Sequence, residues 1–102
     1  MSALGTELKI NVTNDPIDGF HMGDYDFECA FYVYTNRRVV KKKSEMKKVD
    51  DDNYIGILKT DDVMRIGRGR VFVEMTAYIP DADFEDGFRT ERDVTCTDAV
   101  IV

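Results

Sequence analysis

The chain has no tryptophan, one histidine, two cysteines and two prolines in 102 residues. Each scarcity closes a class of explanation. Two Cys and one His cannot supply the four ligands of an ordinary structural zinc site. The lack of Trp removes the ring on which the inter-sheet disulfide of antibody-type domains packs. With no secretion signal in view, free thiols are the simpler reading of Cys29 and Cys96, a bridge is the alternative, and both cysteines are expected at inward strand positions. His21 stands between Gly19 and Gly23 with no nucleophile motif beside it, so it reads as an incidental loop residue and not as a general base. No apolar run approaches the length of a membrane span. Met1 to Thr13 also lacks the basic start and continuous apolar stretch of a secretory signal, so a cytoplasmic product is expected.

What is present is ordinary globular composition: 43% hydrophobic, 33% charged and 11% aromatic residues. A chain of this length forms one domain, residues 1–102, and buries roughly 60–65% of the surface of its unfolded form. The formal charge of −6 opposes binding to nucleic acid or anionic lipid through long-range repulsion.

Periodicity gives strands. Leu8, Ile10 and Val12 alternate with polar residues, and Asn14-Asp15-Pro16 ends that run, followed by a long loop to Gly23 in which Phe20 folds back. Tyr25, Phe27, Cys29, Phe31 and Val33 share one face of a second strand, with Asp26, Glu28, Ala30, Tyr32 and Tyr34 on the other. Val39-Val40 continue as a short strand, Ser44 to Val49 is either a helical turn or an extended edge, and Asp50-Asp51-Asp52 turns the chain. Asn53 to Lys59 is a strand. Thr60-Asp61-Asp62 opens a helical turn that Gly67 closes. Arg70 to Ile79 is expected to be the longest strand, and Arg89 to Thr97 and Ala99 to Val102 complete the pairing after an acidic turn. Six to eight short strands of this kind predict an all-β antiparallel sandwich, immunoglobulin-like or jelly-roll-like.

Chemistry is sparse. Asp81-Ala82-Asp83-Phe84-Glu85-Asp86-Gly87 alternates oxygen ligands as a calcium loop does, but Asp86 stands where an EF-hand needs Gly and Arg92 where it needs Glu, so it reads as a hairpin turn. Gly67-Arg68-Gly69-Arg70 has no Lys-Ser/Thr ending and is no P-loop. Asn11-Val12-Thr13 matches a glycosylation acceptor by chance. No cofactor, metal or small-molecule substrate is expected, and no catalysis. The candidate interaction surface is the basic cluster Arg37, Arg38, Lys41, Lys42, Lys43, Lys47 and Lys48, near Tyr32 and Tyr34, with Asp81, Asp83 and Asp86 as its acidic counterpart. Such a cluster can track a single-stranded nucleic acid, yet a solvated edge that blocks strand addition or docks an acidic partner fits the acidic chain better. The apolar end Ala99-Val100-Ile101-Val102 is expected to pair within its own sheet in the isolated protein and to touch a neighbour in an assembly.

The succession Asp26-Phe27-Glu28, Phe31-Tyr32-Val33-Tyr34-Thr35, Val49-Asp50-Asp51-Asp52-Asn53-Tyr54-Ile55, Gly67-Arg68-Gly69-Arg70 and Ile79-Pro80-Asp81 through Glu91 resembles small structural proteins of prophages in gut bacteria. Those are similar in turn to the N-terminal β-sandwich of phage upper-baseplate and tail-fibre proteins. The likeness spans about residues 8 to 101 and carries no catalytic residue. It implies a virion connector or decoration subunit, made in the bacterial cytoplasm before assembly, whose partners are other tail proteins or copies of itself. The chain lacks the C-terminal fibre or receptor-binding part of the longer baseplate proteins. The alternative is a free-standing module that binds a bacterial protein or glycan.

Overall fold

The computed structural model describes residues 8–13 and 22–102. Its strands are β1 (Leu8–Thr13), β2 (Asp26–Tyr32), β3 (Val39–Lys42), β4 (Lys47–Asp50), β5 (Asn53–Leu58), β6 (Gly69–Pro80) and β7 (Phe88–Ile101), with one short helix, α1 (Thr60–Ile66), between β5 and β6. They form two antiparallel sheets, β1-β5-β4 and β3-β2-β6-β7, packed as a sandwich. The seven strands fall within the expected number, and β2 and β6 are the central strands of the larger sheet. The expected loop from Asn14, with Phe20 and His21, lies outside the described residues.

Alternation decides which side chains meet. In β5, Tyr54, Gly56 and Leu58 are buried while Asn53, Ile55 and Ile57 are half-buried on the other face. In β2, Phe27, Cys29 and Phe31 point the same way into the core, opposite Ala77, Met75 and Val73 of β6. The sheets therefore touch through Phe27 and Tyr54, whose rings meet edge to face at 4.9 Å and 84°, and through Phe31, which lies on Gly56. A Cβ at Gly56 would overlap the Cζ of Phe31. Glycine in a strand interior weakens the strand unless another group approaches closely, and here the Phe31 ring does.

Local chemistry sets the turns. The Asp50 carboxylate accepts from the backbone N of Asp52 at 2.9 Å and from the Asn53 amide at 2.8 Å, closing the β4–β5 hairpin. At α1 the Asp62 side chain accepts from the N of Lys59 at 3.1 Å, so the residue before Thr60 is the cap. Gly67 ends the helix at φ 89°, a left-handed conformation that suits glycine. Ile66 is fully buried beneath the sandwich edge.

One open reading is resolved and two expectations are corrected. The segment Ser44 to Val49 divides into a 3-10 turn at Lys43–Glu45 and the strand β4. The longest strand is β7, with 14 residues against 12 for β6, because the two expected C-terminal pieces run on through an irregularity. Arg70 pairs with Val100 and Phe72 with Cys96, so β7 carries two extra residues there. Thr97 fills the widened gap by donating from Oγ1 to the Val71 carbonyl at 2.8 Å. Finally, Cys29 is buried as expected but Cys96 is exposed, on the outer face of β7; both are free thiols. The C-terminal strand pairs within its own sheet, Ile101 opposite Gly69 and buried.

Phe31→Ala removes the ring that joins the sheets and is expected to cost about 3–5 kcal/mol in urea unfolding. Gly56→Ala, which overpacks the same contact, is expected to cost about 1–3 kcal/mol. Lys42→Ala, at an exposed position, stays within about 0.5 kcal/mol of the parent. A Gly56→Ala protein as stable as the parent would contradict this packing.

Candidate interaction surface

The basic cluster is largely consumed inside the domain. Arg37 donates to the Met64 carbonyl at 3.2 Å. Lys41 pairs with Asp62 at 3.2 Å, tying β3 to α1. Lys43 donates to the carbonyls of Gly23 and Tyr25, both at 2.8 Å, with its ammonium 5.7 Å from the Phe27 ring centroid. Lys48 pairs with Asp51 at 3.0 Å, which raises the lysine's pKa. Only Lys42 and Lys47 of the seven are exposed on strands without an ion pair among the described residues. The lysines that do remain exposed sit on the short edge strands β3 and β4.

The acidic counterpart is likewise a turn first. In the β6–β7 hairpin loop, Asp81 accepts from the Asp83 N at 3.0 Å and Asp86 from the Phe88 N at 3.1 Å. Gly87 completes the bend at φ 81°, and Arg89 lies 3.5 Å from the second oxygen of Asp81. Carboxylates engaged in this way hold backbone and not a cation. Among the described residues, no group of three His, Cys, Asp or Glu is arranged to bind a metal, and no helix is long and apolar enough to cross a membrane.

Arg38 leads to a surface that the basic cluster concealed. On the outer face of the larger sheet, Tyr32 and Phe72 are direct cross-strand partners and stack at 5.9 Å and 23°. The Arg38 guanidinium lies 4.4 Å from the Tyr32 ring centroid and reaches Glu74 at 2.9 Å. A cation held by a carboxylate over a stacked pair is a rigid platform, and the ion pair orients the guanidinium more than it stabilises the fold. Farther along this face Tyr78 donates to Glu28, and that bond, together with partial burial, raises the phenol's pKa.

The other feature is β7 itself. Every residue from Phe88 to Cys96 is exposed, because the smaller sheet does not extend over this part of the hairpin. Among the described residues the end of β1 approaches it, leaving a cleft lined by Asn11, Thr13, Val73, Met75, Asp93 and Thr95. Sequence reasoning found the strand but placed Cys96 inward, whereas it is exposed on the outer face opposite Phe72.

Comparison with known proteins gives no match to a family model, a curated protein or a solved structure.

The two thiols report the two environments. Burial, then the Glu28 charge, pushes Cys29 up from 9.0 to about 12. The unfolded chain loses that proton first, so the thiol's contribution is fully present below about pH 9 and is lost as pH rises toward 12. Near pH 8 a thiol reagent is expected to modify Cys96 rapidly and Cys29 only after unfolding. Equal rates at both cysteines in the native protein would contradict their placement.

Proposed function

We propose that this chain is a non-enzymatic structural subunit of a phage or prophage virion, a connector or decoration protein of the tail or baseplate. The observation that carries the assembling role is the β7 edge. A small domain with a complete core leaves its longest strand exposed on both faces over residues 88–96, and an unpaired edge is a template for another chain. The tail assignment draws on the resemblance of the strand and turn motifs between residues 8 and 101. In this reading the core supplies rigidity, the charge of −6 limits association of dilute copies, and edges and charged faces supply contacts to other tail proteins or to further copies.

The Arg38–Phe72 patch favours a second reading, a free-standing module for a bacterial protein or glycan, since a part-exposed guanidinium fixed by Glu74 beside an aromatic ring suits either ligand, with Tyr32 buried beneath it. The two readings part on location. Particles induced from the bacterium that encodes the chain are expected to contain it at stoichiometric levels by mass spectrometry, with tail-bound label in immunogold images. Its absence from intact particles would overturn the virion assignment.

A further inference from the structure

The four sheet edges of the sandwich are unequal. β1 is six residues long and carries Lys9. β3 is four residues with Lys41 and Lys42. β4 is four residues with Lys47 and Lys48, and its register breaks between Lys48 and Asp50. Short length, lysine and irregular register are the devices by which edges avoid pairing with other chains. β7 has 14 residues, no lysine and no proline, and is regular from Phe88 to Cys96. Its outward edge pairs with no strand among the described residues.

We propose that β7 is the seam at which a second copy of this chain adds, antiparallel, about a two-fold axis through Val94, so that the two larger sheets become one. The inference rests on reading the chain as an assembling subunit and names the partner and the register. Self-complementarity carries it. A two-fold normal to the sheet keeps each face on its own side, so even residues meet even residues and odd meet odd. The large apolar residues exposed on β7 are Phe88, Val94 and Val100, all even and therefore all on the outer face. With the axis at Val94, Val94 meets its own copy inside the regular stretch, and Phe88 and the partner copy's Val100 come to the same end of the seam on the outer face, Val100 lying beyond the irregularity at residues 97–99.

The charges agree with the same axis. Within the regular stretch Arg92 falls opposite Cys96 and Asp93 opposite Thr95, so no like charges are directly opposed there, and the nearest like-charge contact is the diagonal one between Asp93 and its copy. Moving the axis one residue toward the hairpin loop sets Asp93 against Asp93. Moving it by two sets Arg92 against Arg92 and Glu91 against Asp93. Moving it the other way carries the partner of Phe88 past the end of the strand at Ile101. The inward charges Arg89, Glu91 and Asp93 thus set the register instead of blocking the edge.

Directly opposed residues have Cα atoms about 4.5–5.5 Å apart, within the span of a disulfide. In a Cys96→Ser background, Val94→Cys is therefore expected to form a disulfide-linked dimer under mild oxidation. Thr90→Cys, equally exposed on the same face but about 27 Å from its copy at ~3.4 Å per residue, is expected to remain monomeric. Sedimentation of the parent is expected to show a concentration-dependent dimer, and Val94→Lys a monomer with an unchanged urea midpoint. Equal cross-linking at positions 90 and 94, or association of Val94→Lys as strong as the parent's, would overturn the proposal. A chain found in particles yet monomeric at every concentration sinks this seam and leaves the virion reading standing. Cross-linking specific to Val94→Cys in a chain absent from particles does the reverse.

Discussion

The seat of Phe31 on Gly56 is the constraint on which the rest depends. It brings the centre of the smaller sheet against the centre of the larger one. A side chain at Gly56 would hold the sheets apart there, and a smaller residue at Phe31 would leave a cavity in the core beside Val73. Once that contact is made, register follows. Phe31 stands opposite Val73 in β6 and Val39 in β3, while Gly56 stands opposite Ile10 in β1. A slip by one residue in any of these strands would expose its apolar set, which is why alternation alone specifies the arrangement.

The same contact sets what is left uncovered. Three strands packed on four cannot shield the whole of the larger sheet, and β7 lies at its border. The domain does not need that strand's distal half for its core; the buried residue that β7 contributes is Ile101, beyond the irregularity. Along this one strand Ile101 belongs to the core, while residues 88–96 are exposed. Ion pairs divide in a similar way. Lys41–Asp62 and Arg38–Glu74 lie against the domain and fix orientations, whereas Arg89 and Glu91 lie on the strand that has no cover.

Much of this fold was legible in the sequence, for an identifiable reason. The odd positions of β2 and β6, Phe27 to Phe31 and Val71 to Ile79, are apolar throughout, and period two is a direct record of a strand with a buried face. The acidic triplet and the acidic loop announced turns because Asp side chains compete for backbone N–H groups, and both do so here. What was not legible required knowing neighbours. Cys96 continues an alternating pattern, but the pattern cannot say whether a second sheet lies above it. The two-residue irregularity in β7 has no local signature beyond Thr97, whose hydroxyl fills it. The basic run looked like a free surface since sequence shows charge but not partners, and Asp51, Asp62, Glu74 and the carbonyls of Gly23, Tyr25 and Met64 answer most of it. The Tyr32–Phe72 stack joins residues 40 apart and could be seen only once β2 and β6 were paired.

The central claim is that one interlocked core holds β2, β5 and β6 while the distal part of β7 stays outside it. Native-state hydrogen exchange resolved by residue tests this most directly. Amides of Phe27 to Phe31 and Val71 to Val73 are expected to open only with global unfolding, and those from Thr90 to Cys96 at markedly lower free energy in dilute protein. Protection in residues 90–96 equal to that of β2 in dilute protein would contradict the account.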